Sequence, residues 1–327
     1  MSIIDKLNVR LNFGKHVNID YQILDAVCNL LFEKIDPEIC KPFDWRNDKY
    51  WPSDAEDPSK VSQFFAIGNA INFRYWFINE KGEYTYCQGK KGGSLEKGAK
   101  YMWRSLKVCY DNDIFPILKA EKIAKITLNE MKRIFQTDEG SDVMPALQER
   151  LLNWRDLGHK LFEYWNGKFY NLVQKTEGSL FNFIQFSRQF RAFDDPLCKM
   201  TMVNAIMHQG REIIKFDMPI FPAIDYQLMK QQIRIGILIL KEEISKKIKC
   251  RKLLESSEAR ELRNASLTAF LRMMEKTSLP GDLIDNIWWE NRKICQTEKP
   301  LCERCLFYNV CLKRTDYGIP LEDTRYY

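Results

Sequence analysis

Four thiols and one carboxylate are the side chains of this sequence whose type and placing could do chemistry. Cys295, Cys302, Cys305 and Cys311 fall within 17 residues, spaced C-x6-C-x2-C-x5-C. Thiolates so close in sequence can wrap one metal centre, either tetrahedral zinc or a [4Fe–4S] cluster. A zinc ribbon offers two C-x2-C knuckles and this segment has one, so the spacing favours iron–sulfur, with zinc as the alternative. The carboxylate is Asp225. It follows Pro219-Ile220-Phe221-Pro222-Ala223-Ile224, an apolar run with two prolines, and opens a stretch of helical pattern. An Asp in that position is a good helix N-cap. The same group in an apolar pocket could also stabilise a developing cation or orient a water, which breaking an N-glycosidic bond requires.

The elements that must position these residues read as mostly helix. Segments 118–134, 146–162 and 225–249 carry apolar residues at three- and four-residue steps. In the last of these, Leu228, Ile235, Leu238 and Ile239 face one way, with Lys230, Gln231 and Arg234 as the polar side. One β-hairpin is expected, from Phe73–Phe77 through the turn Asn79-Glu80-Lys81-Gly82 to Tyr84–Cys87. Segments 52–60 and 138–145 read as loops. Neither resembles a long linker, so one compact body or two closely packed helical lobes is expected. Two basic features read as ordinary structure. The run Lys246-Lys247-Ile248-Lys249-Cys250-Arg251-Lys252 is a solvated helix end with glutamates around it. Gly89-Lys90-Lys91-Gly92-Gly93-Ser94 lacks the spacing of a phosphate loop and reads as a turn after the hairpin.

Composition narrows the class. The 327 residues carry 50 Lys+Arg against 44 Asp+Glu, a net charge of +6, and 45% apolar residues. That is enough apolar material for a packed core and excludes wholesale disorder. No run has the length of a membrane span, and residues 1–6 lack the pattern of a signal peptide, so a cytoplasmic protein is expected. Only His16, His159 and His208 are present, too few for a histidine-rich metal site. The six isolated cysteines (Cys28, Cys40, Cys87, Cys109, Cys198 and Cys250) read as small buried hydrophobes.

Two resemblances give these features a context. Trp288-Trp289-Glu290-Asn291-Arg292-Lys293-Ile294-Cys295, followed by Lys299-Pro300-Leu301-Cys302-Glu303-Arg304-Cys305 and Cys311, resembles the cluster loop of the endonuclease III class of DNA glycosylases. Ala223-Ile224-Asp225, with Arg234-Ile235-Gly236-Ile237-Leu238 after it, resembles the segment that carries the catalytic Asp in helix-hairpin-helix glycosylases. The cysteines then follow in the order that class implies. The hairpin itself, a Leu-Pro-Gly-x-Gly element ahead of Asp225, is not found, and duplex nucleic acid is therefore not an expected partner.

The second resemblance is to the queuosine salvage proteins, which are queuosine 5'-phosphate N-glycosylases, and it runs from about Val61 onward. The segment Gln63 to Trp76, with Asn69-Ala70-Ile71-Asn72-Phe73-Arg74-Tyr75-Trp76 at its end, resembles that family's apolar-Asn-Phe-x-x-Trp pattern. Pro145-Ala146-Leu147-Gln148-Glu149-Arg150, Gly178-Ser179-Leu180 and Phe190-Arg191-Ala192-Phe193-Asp194-Asp195 are similar to further elements. So are Ile224-Asp225-Tyr226-Gln227-Leu228, Glu258 to Arg263, Asp285 to Trp289 and Thr324-Arg325-Tyr326-Tyr327. Asn69 stands where an Asp is expected. The cysteine loop lies where most members have only a short link.

The resemblance implies a mainly α, helix-hairpin-helix DNA glycosylase-like two-lobed fold with a small β-hairpin and a C-terminal Fe–S cluster loop. Residues 1–290 would form the helical N-glycosylase-like domain, and 291–327 the cluster loop and a tail packed on it. The implied activity is hydrolysis of queuosine 5'-monophosphate, or a related 7-deazaguanine nucleotide, to release queuine for salvage into tRNA. Asp225 would be catalytic. Asn69, Phe73, Trp76, Lys199, Tyr226, Asp285 and Trp289 would bind substrate, with Lys199 as a point charge for the phosphate. Cys295, Cys302, Cys305 and Cys311 would hold the cluster in a structural role. A monomer acting on a small nucleotide, away from membranes, is expected. The competing readings are an Fe–S DNA glycosylase of base excision repair and a non-catalytic Fe–S nucleic-acid-binding protein.

Overall fold

The computed structural model describes residues 3–36, 43–78 and 84–327. Among these the chain is mainly helical, with fourteen α-helices and three two-stranded antiparallel sheets. It divides into two compact units. One joins Met1–Phe43 to Pro219–Asp323, and the other is Asp44–Met218 with Thr324–Tyr327. No described helix is long and apolar enough to cross a membrane.

The first unit contains Asp225 and the four clustered cysteines. Its helices are Ile3–Lys6, Tyr21–Lys34, Tyr226–Ile235, Glu242–Lys249, Ser256–Thr277 and Gly281–Asn291. The helical pattern expected over 225–249 is interrupted. Gly236 ends the first helix in a left-handed conformation, φ 105°, which glycine adopts without steric cost. Leu238–Leu240 then becomes a strand paired with Val17–Ile19, with Val17 opposite Leu240 and Ile19 opposite Leu238. Glu261, on the long helix, fixes this N-terminal strand by accepting backbone N–H bonds from Gly14, His16 and Val17. In the core Phe270 meets Trp288 edge to face and Trp288 meets Phe307 at a tilt, with ring centroids 5.1 and 4.7 Å apart.

The second unit packs Pro58–Asn69 against Lys199–Gly210 and carries the long helix Leu147–Tyr164. The pattern over 118–134 also divides, into Ala120–Ile123 and Leu128–Phe135. A capping box of Thr127 and Glu130 starts the second piece. The expected hairpin is present as Trp76–Ile78 paired with Tyr84–Tyr86; its turn lies outside the described residues. A second hairpin follows directly, Gln88–Lys91 with Ser94–Lys97. Gly92 and Gly93 form its tip, both at positive φ, and the Asp138 carboxylate accepts both of their N–H groups at 2.9 Å. The glycine run is a hairpin turn whose amides are already occupied.

Of the isolated cysteines, Cys28, Cys87, Cys109 and Cys198 are buried as expected. Cys250 is exposed, one residue beyond a helix end, and Cys40 lies outside the described residues. The basic run is a paired helix end: Lys246 meets Glu242 at 2.6 Å, Lys247 meets Glu258 at 2.7 Å and Lys249 meets Asp316 at 2.7 Å.

Candidate functional site

Asp225 caps the Tyr226–Ile235 helix, and its Oδ1 accepts N–H bonds from Gln227 at 2.8 Å and Leu228 at 3.0 Å. The residue is buried, 7% exposed. The segment ahead of it is held as firmly. Asp285, on helix Gly281–Asn291, accepts the Ala223 N–H at 2.8 Å. Ile220 lays its carbonyl so close to Gly281 that an added Cβ would sit 2.0 Å from the oxygen. Glycine is needed there for the close approach of two backbones.

Two cations, Lys230 and Arg292, interact electrostatically with this carboxylate. The Arg292 guanidinium lies 3.5 Å from the centre of the Trp289 ring. Burial lowers its pKa, while Glu290, Asp225 and Tyr226 favour its charge. Lys230 is 1% exposed, and its Nζ donates to Gln227 Oε1 at 2.8 Å and to Thr297 Oγ1 at 3.4 Å. Burial pushes its ammonium down to about 7, against the pull of Cys295 and Asp225. Of the expected site residues, Asp225, Tyr226, Asp285 and Trp289 are thus held in one neighbourhood of one unit.

The four clustered thiols also come together. Cys295, Cys302, Cys305 and Cys311 line a single cleft with about 410 Å³ of empty volume, its open mouth included, alongside Gln231, Arg234, Asn291 and Tyr308. Burial pushes the Cys305 and Cys311 thiols up, and neighbouring cysteines add to the effect. Polar groups already approach the sulfurs. Arg234 Nη1 lies 3.6 Å from Cys295 Sγ, the Lys313 N–H 3.2 Å from Cys311 Sγ, and Asn291 Oδ1 3.4 Å from Cys305 Sγ. Among the described residues no group of three or more His, Cys, Asp or Glu stands in metal-holding geometry. The thiols share a cleft rather than a closed coordination sphere. The donor set, four sulfurs with N–H donors and a buried guanidinium beside them, is chemically suited to an anionic thiolate-bound centre.

The remaining expected residues belong to the other unit. Asn69 is fully buried, donating to Asn204 Oδ1 at 3.1 Å and accepting from Asn72 at 3.2 Å. Phe73 is 1% exposed, with the Arg150 guanidinium 4.3 Å from its ring centre. Arg150 donates to the Ile71, Phe73 and Arg74 carbonyls and so fixes the segment after Asn69. Lys199 is buried and donates to the Asn72 carbonyl at 2.6 Å. Trp76 is buried in the hairpin beside Tyr84. The tail returns to this same segment: Arg74 N–H donates to Tyr327 O at 3.1 Å and Arg325 pairs with Asp194 at 3.0 Å. Asn69, Phe73 and Lys199 converge on residues 69–75.

Three side chains escaped the sequence reading: Lys230, Arg234 and Arg292. Lys230 and Arg234 read as the polar side of a helix, yet both are buried. A polar face with Gln231 between two cations, next to a cysteine loop, was the available signal.

Residues 51–204 match the family model described as queuosine salvage protein. Asn69, Phe73, Trp76 and Lys199 fall inside that stretch, whereas Asp225, the residues around it and the cysteines lie beyond it. The chain is also similar to two curated proteins named queuosine 5'-phosphate N-glycosylase/hydrolase. The protein from Bos taurus is 33% identical over 124 residues, which is 38% of this chain and 34% of the relative. The one from Mus musculus is 28% identical over 137 residues, 40% of this chain and 39% of the relative. The matches therefore span between a third and two-fifths of the length of these relatives.

Proposed function

We propose that this protein is an N-glycosylase that hydrolyses queuosine 5'-monophosphate, or a related 7-deazaguanine nucleotide, to free queuine and ribose 5-phosphate. The observation that carries this reading is the match of residues 51–204 to the queuosine salvage family, with relatives named for that activity. Its mainly helical architecture agrees with a helix-hairpin-helix glycosylase-like fold. Within this reading the protein works as a cytoplasmic monomer on a free nucleotide.

Asp225 is the catalytic carboxylate. Its Oδ1 is anchored by two helix amides, and the group is largely withdrawn from water. As the base leaves, positive charge builds on the sugar, and an oriented carboxylate in a site of low dielectric stabilises it. The same group orients the water that adds to the anomeric carbon. The proton that water gives up balances the one gained by the departing base. Asp285 holds the turn ahead of Asp225, and Trp289 with Arg292 forms a flat cationic wall beside it. By the family resemblance, Tyr226 in this unit and Asn69, Phe73, Trp76 and Lys199 in the other are also read as substrate-binding residues.

Cys295, Cys302, Cys305 and Cys311 would hold a [4Fe–4S] cluster, with zinc as the alternative, and the centre would supply structural closure of the loop. The test is base release from queuosine 5'-monophosphate followed by mass spectrometry. Asp225→Asn is expected to lose at least about 100-fold in kcat. Near wild-type release by that variant would remove Asp225 from the mechanism. Cleavage of lesion-bearing DNA without queuine release would replace the whole reading with a DNA glycosylase.

A further inference from the structure

We propose that Arg234 is a positioning residue for Asp225: it clamps both flanks of the four-thiol loop to the far end of the helix that Asp225 caps. The side chain is 2% exposed, and its donors are spent on that loop. Nη1 donates to the Gln296 carbonyl at 2.6 Å and Nη2 to the Thr297 carbonyl at 2.7 Å, just after the first cysteine. Nη2 also reaches the Thr315 carbonyl at 3.1 Å and Nε the Tyr317 carbonyl at 2.8 Å, just after the last cysteine. Nη1 lies 3.6 Å from Cys295 Sγ as well. One guanidinium thus ties the entry of the cysteine loop to its exit.

The backbone repeats the attachment. The last carbonyls of a helix lack partners of their own. Here the Arg234 and Ile235 carbonyls accept the Arg314 and Leu312 N–H groups at 3.1 and 3.0 Å. Leu312 sits so close to Gly236 that an added Cβ would lie 2.6 Å from its Cδ1. Midway along the helix, Lys230 joins Thr297 to Gln227, whose own N–H holds Asp225 Oδ1. A helix of 10 residues is a rigid rod about 15 Å long, so a shift imposed at one end arrives at the other. If the loop opens, a buried guanidinium loses four carbonyl partners at once. The helix must then move to bring it to water.

This inference rests on the proposed function, in which Asp225 is catalytic and the loop holds a metal centre. The test uses the full chain purified anaerobically, as wild type, Arg234→Gln and Arg234→Lys. Five quantities are read: iron and acid-labile sulfide per chain, the rate of metal loss to a chelator, and kcat and KM on queuosine 5'-monophosphate per metal-loaded chain. Arg234→Gln is expected to lose metal at least about 10-fold faster. Its kcat per loaded chain is expected to fall about 10-fold, with KM changing less than about 3-fold. Arg234→Lys keeps the charge but cannot reach all four carbonyls, and should fall between. Wild-type metal retention and kcat in a folded Arg234→Gln would overturn the inference while leaving the function intact. If circular dichroism shows Arg234→Gln unfolded, Arg234→Lys decides by the same measures. A wild-type chain with neither metal nor hydrolysis defeats the parent reading, and this one with it.

Discussion

Single side chains in this protein show that burial, more than residue type, decides what an ionisable group does. Asp225 is withdrawn from water yet held by two amides. His208 is the opposite case. It is fully buried, with Nε2 2.8 Å from Ser62 Oγ and Nδ1 2.7 Å from the Asn204 carbonyl. Desolvation disfavours the imidazolium and pushes the pKa down to about 4, from 6.5. Above 6.5 the ring is neutral whether folded or unfolded, and its buried hydrogen bonds contribute fully. As pH falls, the unfolded chain takes up a proton that the folded chain refuses, so this stability is lost down to about pH 4. The shift corresponds to about 3 kcal/mol. The unfolding free energy of the wild type minus that of His208→Gln should shrink by that order between about pH 7 and about pH 4 in denaturant titrations. A difference that stays constant over this range would mean the ring charges in place.

At the scale of elements, hydrophobic periodicity located the helices but not their interruptions or their surroundings. The stretch 225–249 breaks at Gly236 because Leu312 and the left-handed cap both require glycine there. Lys230, Gln231 and Arg234 read as a polar face, and polar they are, but none is exposed. Arg234 has acceptors 62 to 83 residues further along the chain, and Gln231 donates to the Trp288 carbonyl 57 residues away. Periodicity reports which residues are polar; it cannot report that another segment supplies buried acceptors for them. The N-cap role of Asp225 is legible because a local signal, an apolar run with prolines leading into a helical pattern, is sufficient. The contact between Gly281 and Ile220 was not, since it joins elements about 60 residues apart through backbone atoms alone. It gives a direct test of how the segment before Asp225 is held. Gly281→Ala must displace the Ile220 carbonyl, because its Cβ would otherwise lie 2.0 Å away. A destabilisation of about 1–3 kcal/mol is expected by denaturant titration and, under the proposed function, slower queuine release. Wild-type stability and activity in this variant would show that the 219–225 segment yields without cost.

At the scale of the whole molecule, the two units differ in what holds them together. The unit of Asp44–Met218 with Thr324–Tyr327 has a conventional core, with Phe64, Trp154, Phe169 and Phe183 all buried. The unit of Met1–Phe43 with Pro219–Asp323 has a comparable core in Phe270 and Trp288, but it also carries a cysteine loop with little regular structure. Residues 292–323 hold one short 3₁₀ turn, Cys302–Arg304, and its four cysteines are only partly buried. That loop is held by Phe307 against Trp288 and by Arg234. In the proposed function the metal centre therefore supplies folding free energy to one unit. Hydrogen exchange read by mass spectrometry should show this after chelation under reducing conditions. Protection is expected to fall in 292–318 and in the Tyr226–Ile235 helix, and to stay unchanged in the Leu147–Tyr164 helix of the other unit. Equal loss in both units would mean that the chain unfolds as a single cooperative body. Unchanged protection in both would mean that protein contacts alone close the cysteine loop.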